Sequence, residues 1–211
     1  MKTDDLIGML AQGAGATEPA GDLRRIGLGA ALALPVMVAA VAYGLGLVPV
    51  ADWPISATVP KLAYGLTVAL AAVWLLRQAG RPGARVAGPL ALVAGVTVLV
   101  LAVGVYDIFR LPPEARGMQI MGKSWSACPV LILALSLPLQ AGMLWSARLL
   151  APTRLTLAGA AAGLAAGGVA AAAYALHCSE GAPAFIAIWY SLGIVLSTLL
   201  GALIGPRVLR W

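Results

Sequence analysis

Charge is scarce in this chain. Of 211 residues, 14 are Lys or Arg and 8 are Asp or Glu, 10% in all, where a soluble domain carries about a quarter. Apolar residues make up 61%, more than a water-soluble fold of this size can hide. No Asp, Glu or His stands well inside an apolar run. A proton relay or ion pathway needs such groups at depth, so their lack argues against an ion-coupled pump or transporter. Histidine occurs once and cysteine twice, too few to form a structural zinc centre from the cysteines alone. There is no phosphate-cradling Walker loop, no HExxH and no dinucleotide fingerprint. The first 25 residues hold no short apolar stretch followed by a small-residue cleavage site, so the first apolar run reads as a retained anchor rather than a removable signal.

What is present is a series of long apolar runs. A spanning helix needs about 20 such residues, and six runs qualify: Ile26 to Val48, Pro60 to Leu76, Val86 to Tyr106, Cys128 to Ala147, Leu155 to Leu176 and Pro183 to Gly205. They are unbroken rather than alternating, which excludes a β-barrel. The predicted class is all-α: a polytopic bundle of six transmembrane helices. The second run is the shortest and opens on Lys61, whose long side chain is expected to snorkel to the interface. Pro35 and Pro138 fall inside spans and should kink them. Most tryptophans, at 53, 125, 145, 189 and 211, fall near span ends, as an interfacial belt requires.

Basic residues fix the expected orientation. Ten flank one set of span ends (Lys2, Arg24, Arg25, Arg77, Arg81, Arg85, Arg148, Arg154, Arg207, Arg210), and four flank the other (Lys61, Arg110, Arg116, Lys123). The positive-inside rule then puts both termini in the cytoplasm. Residues 1–25 form a cytoplasmic N-terminal segment, 26–205 the transmembrane domain and 206–211 a cytoplasmic tail. The net charge of +6 is spent at span ends, which speaks against direct nucleic-acid binding. In the fifth span Gly159, Gly163 and Gly167 recur every four positions. Such a stripe permits close helix approach, and packing within the bundle is favoured over a homodimer face.

Two places could carry chemistry. Cys128 precedes Pro129, and Pro belongs in a first helical turn. Cys128 therefore sits at or near the start of the fourth span, where the helix dipole favours a thiolate. Cys178 lies just past the end of the fifth span, beside His177. The topology puts both cysteines on the outer face, where an oxidising exterior permits a disulfide. A redox sensor, a static bridge and a soft-metal site (copper, zinc or cadmium on Cys128, Cys178 and His177) all remain open. Met118 and Met121 add soft, oxidisable sulfur nearby. No resident cofactor is implied. The second place is the N-terminal segment. Thr3 suits a helix cap, Asp4 and Asp5 its first turn, and Leu6, Ile7 and Leu10 share a face. A helix of about two turns is expected, too short to stand alone. It is either a segment that docks in a partner's groove or a tail lying on the membrane.

Several stretches together are similar to one family. They are Met1-Lys2-Thr3-Asp4-Asp5-Leu6-Ile7, Trp125-Ser126-Ala127-Cys128-Pro129, Ala151-Pro152-Thr153 leading into Leu157-Ala158-Gly159, Ala175-Leu176-His177-Cys178-Ser179-Glu180, Trp189-Tyr190-Ser191-Leu192-Gly193, and Gly205-Pro206-Arg207-Val208-Leu209-Arg210-Trp211. Their order and spacing resemble the NrsF-type anti-sigma factors, six-span inner-membrane proteins of Gram-negative bacteria. The resemblance covers the whole chain. It implies that an extracytoplasmic-function sigma factor is held by the segment around Thr3, Asp4, Asp5, Leu6, Ile7 and Leu10. It further implies that heavy-metal or oxidative stress, acting at Cys128 and Cys178, releases that partner. The leading expectation is thus a signalling protein and not an enzyme. The alternative is a membrane thiol oxidoreductase that passes electrons to a quinone, which lacks the expected CxxC and second dithiol. A soft-metal exporter is a third class, disfavoured by the dry bundle interior.

Overall fold

The computed structural model describes residues 3–13, 19–46, 55–81 and 83–210. Among them every regular element is a helix. The first helix, α1, is Thr3–Gly13. The second, α2, is Pro19–Ala39 and continues as a π-helical stretch, Ala40–Leu45. It is followed by α3 (Ile55–Ala79), α4 (Ala87–Arg110), α5 (Pro113–Met121), α6 (Ala127–Arg148), α7 (Leu155–Tyr174) and α8 (Pro183–Val208). The last contains a second π stretch, Ile186–Tyr190. Six of these, α2, α3, α4, α6, α7 and α8, are long and apolar enough to cross a bilayer. An even number of spans returns the chain to the side from which it entered.

Three elements differ from what the sequence predicts. The second span is 25 residues long, because Pro60 lies inside the helix rather than at its start. A proline one turn from a helix end forfeits a single backbone bond, and the missing partner is the carbonyl four residues earlier. The N-terminal helix has three turns instead of two. The connection after α4 also carries a helix of its own, α5, with Pro113 in its first turn, Glu114 next to it, and Gly122 closing it at a left-handed φ of 55°. Trp53 and Trp211 lie outside the described residues.

The axis of the bundle is α7, which packs against α3, α6 and α8. Ala and Gly make up 14 of its 20 residues, and most of it is buried. Without a hydrophobic drive between helices in lipid, contact must come from close backbone approach. A β-carbon at Gly159 would strike the Gly201 carbonyl, and one at Gly163 would strike that of Ser197. On another face Gly168 meets Gly65 of α3, where a β-carbon would stand 2.7 Å from the Gly65 oxygen. The glycine stripe therefore serves packing within the bundle. Two spans are peripheral. The first, α2, rests on α6 at a Gly29–Gly142 crossing with no room for side chains. The other, α4, buries only Pro89 and Gly104, and Gly104 abuts Ala184 and Ala187 at the start of α8.

A bulky residue in the α7–α8 seam should therefore unseat the bundle. Gly163→Leu is expected to cost roughly 1–3 kcal/mol by overpacking. Gly95→Leu, on the open face of α4 with nothing within 4 Å, should be neutral. Thermal unfolding of both variants in detergent checks the contrast.

Candidate functional site

The end of the bundle where α3, α6 and α8 begin and α7 ends gathers the polar chemistry. Lys61 has 0% of its surface exposed. Its Nζ donates to the carbonyl oxygens of Cys178 and Glu180, both at 2.7 Å, and lies 5.9 Å from the Tyr190 ring centre. The expected snorkelling is thus corrected. Because α3 begins at Ile55, Lys61 sits about 9 Å along the helix. The open carbonyls that follow a helix end are supplied there by the α7–α8 connection and take the place of headgroups. A charge removed from water persists only with such partners.

The two thiols share one buried cluster with Ile132, Tyr174, Phe185 and Tyr190. Cys128 occupies the first turn of α6, where its N–H donates to the Ser124 carbonyl at 2.9 Å. Cys178 follows α7, and its N–H donates to the Tyr174 carbonyl at 3.0 Å. Both are free thiols, 0% and 6% exposed respectively. They lie within electrostatic reach of each other and of Lys61. The Tyr190 hydroxyl, buried and without a hydrogen-bond partner of its own, borders the Cys178 thiol. A helix dipole favours a thiolate where the helix start is accessible. At Cys128 the structure closes that start with side chains from other helices.

His177 points away from this pair. Its Nδ1–H donates to the Gly46 carbonyl at 2.8 Å, just past the π stretch of α2, and its ring lies 5.7 Å from that of Tyr174. Among the described residues no three His, Cys, Asp or Glu side chains come together to hold a metal ion. The Cys128–Cys178–His177 metal site, one of the alternatives the sequence left open, is therefore not assembled here, because neighbouring residues in the chain leave it in different directions. Both π stretches end at this site, one beside His177 and the other carrying Tyr190. Such segments recur at functional positions.

Glu180 joins the cluster to the α5 connection. Its carboxylate accepts the Lys123 N–H at 2.7 Å, beside Gly122, where a β-carbon would collide with it. Trp189 Nε1 donates to the Ile120 carbonyl at 2.8 Å, and Trp125 packs on Trp189 with ring centres 5.3 Å apart. Lys61, Tyr174, Glu180 and Tyr190 escaped the sequence reading as site residues. The one signal for Lys61 was its isolation inside an apolar run. At the N-terminus, Thr3, Asp4 and Asp5 form the first turn of α1. The side chains of Leu6, Ile7 and Leu10 are 41%, 58% and 65% exposed.

The architecture is that of an all-helical, multi-pass membrane protein. The sequence profile of the family described as "Negative regulator of sigma F" (NrsF) matches residues 10–211, and the chain belongs to that family, one of regulators rather than enzymes. It is similar to a "Probable anti-sigma-F factor NrsF" of Azospira oryzae, 41% identical, and to an "Anti-sigma-F factor NrsF" of Caulobacter vibrioides, 36% identical. Each likeness covers 100% of both chains. No solved structure matches the chain.

Removing the Lys61 ammonium should loosen the connection that carries Cys178. Lys61→Met leaves two buried carbonyls without a donor, a cost of roughly 1–3 kcal/mol. In detergent it should lower the unfolding temperature and speed the reaction of Cys178 with maleimide, read by mass spectrometry.

Proposed function

We propose that this protein is a membrane-bound anti-sigma factor of the bacterial inner membrane, with both termini in the cytoplasm. It holds an extracytoplasmic-function sigma factor through α1. The observation that carries the reading is the full-length likeness to proteins named anti-sigma-F factors. The exposed apolar face of Leu6, Ile7 and Leu10, headed by Thr3, Asp4 and Asp5, supports it. Each such side chain gains about 1.5–3 kcal/mol when buried in a groove, and the acidic first turn suits a basic rim.

Release starts at the cysteines. A soft cation such as cadmium, zinc or copper binds both sulfurs as the thiol protons leave. A peroxide joins them instead: the sulfurs give up two electrons and two protons, and the peroxide departs as water. Either event requires access to sulfurs that are now covered, so the Lys61-held connection must open. Both sulfurs adjoin elements that touch α2. Cys178 neighbours His177, which is bonded to Gly46 at the end of α2. Cys128 begins α6, on which α2 rests. The far end of α2 leads to α1. A signal shifts partner binding only by stabilising one of two arrangements more than the other, and these contacts supply the differing surfaces.

Capture from solubilised membranes tests both halves. The full chain should retain a sigma factor that a chain lacking residues 1–21 loses. Cys128→Ser with Cys178→Ser should keep the sigma factor but fail to let it go under cadmium or peroxide. A membrane-impermeant maleimide applied to intact spheroplasts should label the opened thiols of Lys61→Met from outside. Labelling only in inverted vesicles would reverse the orientation.

A further inference from the structure

At the end of the bundle away from the cysteines, α6 and α8 leave a groove between them. Leu137, Ala141, Leu144, Leu200, Ile204 and Val208, with Gln140 between them, wall a volume of about 300 Å³. The groove runs along α6 to Trp145 and Arg148, which also line an adjoining cavity of about 380 Å³ closed by Leu149, Leu209 and Arg210. Arg210 reaches a further recess beside Thr156, Pro206 and Arg207. The exposed guanidiniums of Arg148 and Arg210 thus stand at the groove's mouth, with that of Arg207 in the further recess. Among the described residues none has a carboxylate partner, and that of Arg207 turns to its own helix, donating to the Leu203 carbonyl at 3.3 Å.

The dimensions and the charge together specify an occupant. From Leu137 to Arg148 the helix rises about 16 Å, close to half of the roughly 30 Å hydrocarbon core and so the depth of one leaflet. The walls are apolar along that length except at Gln140, and basic at its end. Trp145, half exposed, stands where an interfacial anchor belongs. Guanidinium forks bind phosphate oxygens bidentately, and basic pockets between spans bind anionic headgroups. We propose that this groove holds one anionic phospholipid of the surrounding leaflet. Its phosphate lies between Arg148 and Arg210, and an acyl chain lies along the α6–α8 seam. The site is independent of the regulatory reading, since it requires only that the bundle be embedded in a bilayer.

Native mass spectrometry of the full-length protein in detergent tests this. Phosphatidylglycerol should form a one-to-one adduct at a concentration about ten-fold lower than phosphatidylcholine with the same chains, as two arginines near a phosphate predict. Arg148→Gln with Arg210→Gln should abolish that preference. Arg85→Gln with Arg154→Gln, which removes the same charge from the same end but outside the groove, should leave it intact. Ala141→Trp, which fills the groove without changing charge, should lose the adduct, with circular dichroism confirming the fold of each variant. Equal retention of the two lipids would overturn the proposal. So would an equal loss from the Arg85 and Arg154 pair, an adduct that persists in Ala141→Trp, or competition by inorganic phosphate alone.

Discussion

An amine closed off from water must have its N–H groups paired, and Lys61 pairs them with two main-chain carbonyls at 2.7 Å, with an aromatic face nearby. The carbonyls belong to residues 178 and 180, so the same pair of hydrogen bonds fixes the course of the chain between α7 and α8. Once that course is set, the Cys178 thiol is directed into the cluster that holds Cys128. His177 is aimed at the end of α2. The Glu180 side chain is left free to hold the Lys123 amide and, with it, the approach to α6. Elements widely separated in sequence are thereby tied to a single donor. Buried donors and acceptors left unpaired are costly, so the arrangement tends to stay whole or to give way as a unit.

The remainder of the bundle is held by shape rather than charge. The axis helix carries few side chains larger than a methyl group, and its neighbours meet it backbone to backbone at Gly159, Gly163 and Gly168. Such seams leave little to repack. A polar thread runs through one of them: Ser197 Oγ donates to the Gly163 carbonyl at 2.9 Å and lies 2.9 Å from Ser136 Oγ. In a dry interior this thread fixes the rotation of α8 against α6 and α7 in a way that methyl contacts alone do not.

The six spans were legible because run length and hydropathy depend on local composition alone, and the glycine spacing told which face of α7 would pack. The limits of the second span were not legible. Pro60 and Lys61 have the local character of a boundary, and only the carbonyls contributed by a segment 117 or more residues away make a lysine acceptable inside. For the same reason the sequence placed the two cysteines at one end but could not show them covered, since the cover comes from Tyr174, Phe185 and Tyr190. It also took adjacency for convergence at His177. The helix after α4 did announce itself, through Pro113 and Glu114 at its start and Gly122 past its end, but these signals sat in a stretch read only for its charges and its methionines. The apolar face of α1 was readable, although its third turn was not.

The sparse burial of α4 has a mechanical side. Its 24 residues make a rod of about 36 Å, longer than a typical hydrocarbon core of roughly 30 Å, so it must lean to fit. Apart from its neighbour α3, its close footing is Gly104 on the first turns of α8. A thinner or thicker bilayer therefore changes the lean of a strut that is braced against the very turn from which Phe185 and Tyr190 reach the thiols.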